Sequence, residues 1–457
     1  MAERAHSGRK RLQLNTIQLA APEAVTDIAQ KLEKAGYETW AVGGAVRDAL
    51  LGYRVADWDL TTRATPAQVR KTFKRTVPIG IEHGTVGVLA KDGVMYEVTT
   101  FRRDVETFGR HAVVEFAETV EEDLARRDFT FNAIAWHPLT HELRDPYHGF
   151  DDLRQALLRT VGVPQERFAE DYLRVLRALR FAGHFVLTID PPTWDALRNA
   201  SAFLPQLSAE RVREELWKVF TKTRHASATL KLYADADVLR VLYPEVQAVV
   251  DLEAETGAPL WTHTLAAIDT VPVTRPVLRC ALLLHAVGAP TAKVKDLRGQ
   301  WRFIGHEILG ARTAEEVLRR LRASNADIEH IQHLVQMQSE LFPPDASDAV
   351  VRRWLVQMGT ANINDFFRFR IAHARGSGGD GADLVERWRH VHHILLQHPP
   401  LTAGQLAING RDLKALGLEP GPRFGEILDA LLLRVLEDPD LNDRDTLIRI
   451  VQTDMLA

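Results

Sequence analysis

The sequence predicts an α+β protein, with a small mixed α/β head at the N-terminal end followed by a long all-α body. Three observations carry this reading. Between about Tyr37 and Phe101, short β-rich runs alternate with helical stretches. Beyond about Asp151, long amphipathic segments such as RFAEDYLRVLRALRFA, SAERVREELWKVF and AEEVLRRLR take over, with few strands among them. The 457 residues correspond to about three domains at roughly 150 residues each, enough chain to bury substantial cores.

The run YETWAV reads as a strand. Gly43 and Gly44 break it, and AVRDALLG continues at helical spacing as far as Gly52. WDLTT is a second short strand, and PAQVRKTF is a helix opened by Pro66 at its first turn. TVGVLA and VMYEVTTF, separated by a turn containing Asp92 and Gly93, form a hairpin. RFAEDYLRVLRALRF is one helix. The stretch ARGSGGDGAD, residues 374–383, reads as a linker or loop, and short helices punctuated by Asn409-Gly410 and Pro420-Gly421 follow it.

Composition excludes several classes. With 46% hydrophobic and 26% charged residues, collagen-like, disordered and coiled-coil readings have no support. The single cysteine, Cys280, rules out an intramolecular disulfide framework and a cysteine-rich metal site, and favours a reducing compartment, the cytoplasm. No apolar run approaches the roughly 18 residues of a membrane span, so no membrane partner is expected. A formal net charge of -4 argues against a uniformly basic nucleic-acid binder. Basic residues nevertheless cluster locally: Arg4, Arg9, Lys10 and Arg11 near the N-terminus, and eight Lys/Arg against four Asp/Glu from Lys293 to Arg322.

The most informative residues are Asp57 and Asp59 in VADWDLTT. Side chains alternate along a strand, so the two carboxylates share one face while Trp58 and Leu60 point to a core. Paired hard-oxygen ligands suit Mg²⁺, which is usually held by one or two carboxylates plus substrate phosphates; two such ions stabilise the attacking and leaving oxygens of an in-line phosphoryl displacement. Glu97 is a third candidate carboxylate. Upstream, Gly43 and Gly44 lie between a strand and a helix, where backbone N–H groups can meet phosphate, with Arg47 one turn further on.

EDLARRDFTFNAIA places Arg126, Arg127, Asp128 and Asn132 close together, a set suited to triphosphate oxygens and a ribose hydroxyl. Asp128 could equally cap a helix start. On RFAEDYLRVLRALRF, spacings of three and four set Glu170, Asp171, Arg174, Arg177 and Arg180 along a drifting stripe. Cytosine and adenine each present an amino donor beside a ring-nitrogen acceptor, and uracil and guanine present the reverse. A carboxylate paired with a guanidinium therefore accepts C and A and leaves unsatisfied groups against U and G. The same residues could also be ordinary helix-surface ion pairs.

The combination of VGGAVRDALLG, ADWDLTTRATPAQV, HGTV, YEVTTFR, DLARRDFTFNAIA and EDYLR resembles the class II nucleotidyltransferases, the bacterial tRNA nucleotidyltransferases (CCA-adding enzymes) and their poly(A) polymerase relatives. The resemblance runs to INGRDLKALGLEPGPRFGEILDALL and covers most of the chain. It implies a polymerase-β-like nucleotidyltransferase head, Mg²⁺ on Asp57 and Asp59, and an incoming nucleotide contacted by Gly44, Arg47 and Arg127. It further implies Asp171 and Arg174 as base readers, with Arg177 and Arg180 as further nucleotide contacts. The partners implied are tRNA, CTP and ATP.

The implied domains are a catalytic head over 20–150, a helical nucleotide-selecting and RNA-binding neck over 151–240, a helical body over 241–375 and a tRNA-binding tail over 384–457. His263, His285 and His306 resemble a metal-phosphohydrolase helix set of the HD type, but His285 is followed by Ala286 where that set has aspartate. The body is therefore expected to be a degenerate HD-like scaffold. FRRDVETFGRHAVVEFAETVEEDL, a mobile loop in the family, is shorter than usual here and lacks a proline. CC-only or A-only addition, poly(A) synthesis and an inert RNA-binding protein are the alternatives.

Overall fold

The computed structural model describes residues 19–55, 57–108, 111–250, 252, 259–297 and 301–455, with backbone only from 104 to 114. The basic N-terminal cluster at Arg4 to Arg11 lies outside the described residues. The chain forms two compact units, one ending at Leu242 and one beginning at Tyr243.

The first unit opens with α1 (Glu23–Lys34), β1 (Thr39–Val42), α2 (Gly44–Leu50), β2 (Asp59–Thr62), α3 (Pro66–Thr72), β3 (Thr76–Gly80), β4 (Thr85–Leu89) and β5 (Met95–Thr100). A separate hairpin, β6 (Arg102–Phe108) and β7 (His111–Phe116), and the short strands β8 (Ala135–Trp136) and β9 (Leu143–Arg144) follow. Seven strands pair in the order β3-β4-β5-β2-β1-β8-β9. Only β2 and β5 run parallel, joined through α3 and the β3-β4 pair. The strands expected at YETWAV and WDLTT, the helices over AVRDALLG and PAQVRKTF, and the β4-β5 hairpin are present. β3, β6, β7, β8 and β9 are additional; the last two have only two residues each, too short for a period to show in sequence.

Register places Val77, Gly87 and Glu97 side by side, then Asp59, Val42 and Ala135 across the same sheet face. From Val42 onward this face is covered: Trp40, Val42, Ala133 and Ala135 pack with Val120 and Leu124 of α4 (Val120–Ala125), whose N-terminus carries a Thr119/Glu122 capping box. On the other side of Asp59 the described residues leave the face open, with Glu97 and Val77 exposed. The alternate residues Leu60, Val86 and Val98 are buried on the opposite face, where α3 packs on β4 and β5.

After α5 (Gly149–Arg154), the segment expected to be one helix is two: α6 (Pro164–Glu170) and α7 (Leu173–Phe185). The chain breaks at Asp171, which is extended at φ -154° and ψ 105°. Asp171 stabilises the break itself, because its Oδ1 accepts the Leu173 N–H at 3.0 Å, a local bond that competes with helix continuation. α8 (Pro191–Ser201) and α9 (Ala209–Lys222) follow.

Among its described residues the second unit is helical apart from a small strand pair, Lys293–Lys295 with Trp301–Phe303, that periodicity does not show. The expected linker at 374–383 is shorter: one helix runs Ile363–Gly376 and the next starts at Ala382. Gly376 belongs to the first because a Cβ there would lie 2.5 Å from the His263 carbonyl oxygen, so this glycine permits helix contact rather than a turn. No described helix is long and apolar enough to cross a membrane.

Candidate active site

Asp57 lies just before β2 rather than on it, yet the alternation expected of a strand holds: Trp58 and Leu60 are each 1% exposed, while Asp57 and Asp59 face solvent. Two buried apolar anchors thus aim two carboxylates outward. Asp59 sits in the wall of a cleft of about 450 Å³. Its partial burial there, ahead of the neighbouring charges of Asp57 and Glu97, pushes its carboxyl up to about 6, with Arg127 opposing the shift. The three carboxylates repel one another. Among the described residues no group of three or more His, Cys, Asp or Glu side chains encloses a metal by itself. Asp57 and Asp59 nevertheless fit a hard divalent ion that takes its remaining ligands from substrate phosphates and water.

The cleft is lined by Gly43, Gly44, Arg47, Arg126, Arg127, Asp128, Asn132, Asp171, Arg174, Arg177 and Phe181 besides Asp59. Gly43 is required where it stands. Its φ is 72°, and a Cβ would come within 2.8 Å of Arg127 Nη1, so any side chain would strain the turn and displace that guanidinium. Arg126 and Arg127 are anchored on one carboxylate: Asp123, 0% exposed, accepts from Arg126 at 2.9–3.0 Å and from Arg127 at 3.1 Å. Burial alone would raise the Asp123 carboxyl, but the two arginines hold it below the usual carboxylate range.

A second chain of contacts sets the arginines of the helices. Arg47 Nη1 donates to Asn132 Oδ1 at 2.6 Å. Asn132 Nδ2 donates to Asp128 Oδ1 at 2.8 Å, and Arg177 donates to Asp128 Oδ2 from Nε at 2.8 Å. Burial opposes ionisation of Asp128, yet Arg177 and the bond from Asn132 hold it down to about 2. Asp128 therefore acts within the wall and does not cap a helix. Phe181 is a residue the sequence analysis missed. The guanidiniums of Arg47, Arg177 and Arg180 lie 5.0, 5.3 and 4.3 Å from its ring centre, so three cations gather around one ring. Its signal was the Phe closing the run RVLRALRF.

Asp171 and Arg174 come together at the cleft across the helix break rather than along one helix face. Arg211 of α9 donates to Asp171 Oδ2 at 2.6 Å, and Arg174 donates to the Arg167 carbonyl at 2.8 Å and pairs with Glu170. Arg211 and Arg167 were not singled out by the sequence. Arg180 does not line the cleft. It is buried behind it with its Nε 2.7 Å from Glu215 Oε2, and Glu215 is only 1% exposed. Glu215→Ala should strand that guanidinium and cost about 3–5 kcal/mol of stability by chemical denaturation; a loss under 1 kcal/mol would show that Arg180 finds water instead.

In the second unit His285 is buried, its Nδ1 2.7 Å from the Leu282 carbonyl oxygen, and its ring centre is 4.9 Å from that of His373. His263 and His306 are near enough to act on both electrostatically. His373 was not anticipated. Burial, then His373, lowers His285 to about 3; burial, then Arg370, lowers His373 to about 4. Both are neutral in the folded unit and protonate on unfolding below their ordinary 6.5. Stability is thus fully present above that value and falls as pH drops toward the folded values, by up to about 1.4 kcal/mol per pH unit per histidine. Denaturation at pH 7 and pH 5 should show a smaller decline in His285→Leu than in the parent chain; equal declines would exclude His285 as a source.

A mixed sheet presenting carboxylates beside an arginine-lined cleft, followed by helices that close the cleft, defines a nucleotidyltransferase. Comparison with known proteins agrees. The Poly A polymerase head domain family matches residues 39–159, the family described as the probable RNA and SrmB-binding site of polymerase A matches 187–249, and tRNA nucleotidyltransferase domain 2 (putative) matches 293–451. The chain is 34% identical to the CCA-adding enzyme of Lactiplantibacillus plantarum over 93% of its own length and 95% of the relative's. It is 32% identical to that of Levilactobacillus brevis, over 94% and 97%. The crystal structure of the Bacillus stearothermophilus CCA-adding enzyme in complex with CTP superposes with a TM-score of 0.73 at 28% identity, covering 95% of this chain and 98% of that one. The chain belongs to the class II CCA-adding enzyme and poly(A) polymerase family.

Proposed function

We propose that this chain adds C and A residues from CTP and ATP to the 3' end of tRNA by in-line nucleotidyl transfer that releases pyrophosphate. The observation that carries the reading is a single cleft holding Asp59, a bare glycine turn, five arginines and Asp171, in a chain similar to CCA-adding enzymes over nearly its whole length. Asp57 and Asp59 would hold Mg²⁺, which when bound neutralises developing charge on the reacting phosphate and favours ionisation of the attacking hydroxyl. Gly43 and Gly44 let the triphosphate approach the backbone, and Arg127, fixed by Asp123, binds its oxygens bidentately. Arg47 and Arg177, spaced by Asn132 and Asp128, complete the positive wall. Phosphoryl transfer depends on such positioning and charge stabilisation more than on covalent chemistry by the protein.

Asp171 accepts from the amino group shared by cytosine and adenine, and Arg174 donates to the adjacent ring nitrogen. Arg180 is a positioning residue, holding α7 to α9 through Glu215. We assign 20–150 as the catalytic head, 151–240 as the neck that selects nucleotides, 241–375 as the body and 384–457 as the tRNA-binding tail, in a cytoplasmic protein. The test is to supply tRNAs ending before CCA, after C and after CC with each nucleotide separately, and to sequence the products. Stepwise C, C, A addition supports the reading; a long A tail on unrelated RNA indicates poly(A) synthesis, and growth only from the CC end indicates an A-adding enzyme.

A further inference from the structure

We infer that the open half of the head sheet, beside the carboxylates, is a platform on which the last base of the RNA acceptor lies; this rests on the nucleotidyl-transfer reading above. The row of residues across the sheet divides at Asp59. On the β1 side lie Gly43 and Gly44 and, with them in the cleft, the arginines that would hold the triphosphate. On the β5 side the same face continues through Glu97 and Gly87 to Val77. An in-line displacement places the attacking oxygen and the leaving pyrophosphate on opposite sides of the phosphorus. With the triphosphate on the β1 side, the RNA 3' hydroxyl must approach across β5, β4 and β3.

That surface is unlike an ordinary polar sheet face. Val77, Ile79 and Met95 are 43%, 44% and 45% exposed; Ile79 and Met95 converge over Gly87, and Val77 pairs with it on the next strand. A Cβ on Gly87 would meet Ile79 Cδ1 at 2.6 Å and Met95 Sδ at 2.8 Å, so both side chains lie down over bare backbone and form a continuous apolar strip. Large apolar side chains gathered in the open normally mark a contact surface. Here the strip begins one residue position from the carboxylates and ends at the sheet edge. An apolar strip can cover the face of a nucleobase without reading the hydrogen-bonding edge that distinguishes one base from another. That suits an acceptor whose terminal nucleotide changes with each addition.

The test uses the full chain, its Ile79→Thr/Met95→Gln variant, and a tRNA ending in CC whose last nucleotide either carries its base or is abasic. Threonine keeps β-branching on an edge strand, and unchanged melting temperature verifies folding. RNA affinity by fluorescence anisotropy and KM with ATP as donor are both measured. The expected result is that base removal weakens RNA binding about tenfold in the parent chain and little in the variant, with KM for ATP unchanged. An equal penalty in both proteins overturns the platform, as does a parent-chain dimer that dissociates in the variant, which would make the strip a contact between copies. Absence of any incorporation by the parent chain would instead count against the nucleotidyl-transfer reading, and the binding comparison still decides the platform.

Discussion

Asp59→Asn is expected to fold normally and to lose about a thousandfold or more in nucleotide incorporation, the several kcal/mol that charge stabilisation of the reacting phosphate contributes, at about 1.4 kcal/mol per decade. The variant also carries a signature that a merely structural residue would not. Burial, then the charges of Asp57 and Glu97, pushes the Asp59 carboxyl up to about 6, so removing its charge relieves both the desolvation and the repulsion, and the melting temperature should stay level or rise. Adding Asp57→Ala should lower the rate little further, since residues that act as one unit are strongly non-additive. Incorporation within tenfold of the parent chain, measured with labelled CTP on tRNA lacking CCA, would remove Asp59 from the reaction.

Asp171→Asn should change which bases are accepted. Asparagine can still accept the Leu173 N–H that stabilises the helix break, so the fold is preserved, but it presents an amide donor where the carboxylate only accepts. The ratio of kcat/KM for CTP to that for UTP is expected to fall by about a hundredfold or more, because discrimination by a polar site depends on leaving the wrong partner unsatisfied. Arg174→Ala should lower incorporation of C and A together. Unchanged selectivity in Asp171→Asn would move base reading elsewhere in the cleft.

The sequence made legible the parts of the protein whose chemistry is local. Alternation around Trp58 and Leu60 indicated the outward carboxylates, and Gly43-Gly44 indicated a turn that admits a ligand. Asp171 shows where local reading ends. Helical spacing of apolar residues continues through it, and the break depends on its side-chain bond to Leu173, on its pairing with Arg211, 40 positions away, and on Arg174 reaching back to Arg167 and Glu170. Arg180 illustrates the same limit differently: it shares a stripe with Arg174 and Arg177, but α9 brings Glu215 against it and turns it inward. Such pairings depend on tertiary contacts that no window of sequence contains. The short strands exist because β1 offers an edge to β8 and β8 offers one to β9, not because of their own pattern.

Asp123 gives the site an unequal distribution of mutational risk. It is fully buried, does not itself line the cleft, and is the shared tether of Arg126 and Arg127. Loss of that one carboxylate would release two cations together, whereas a change at either arginine removes one. Asp123→Ala should therefore raise KM for CTP and ATP more than Arg126→Ala does, in a chain whose melting temperature also falls. A defect in nucleotide handling can thus originate one contact behind the cleft wall, and a survey of damaging variants confined to the cleft lining would overlook it.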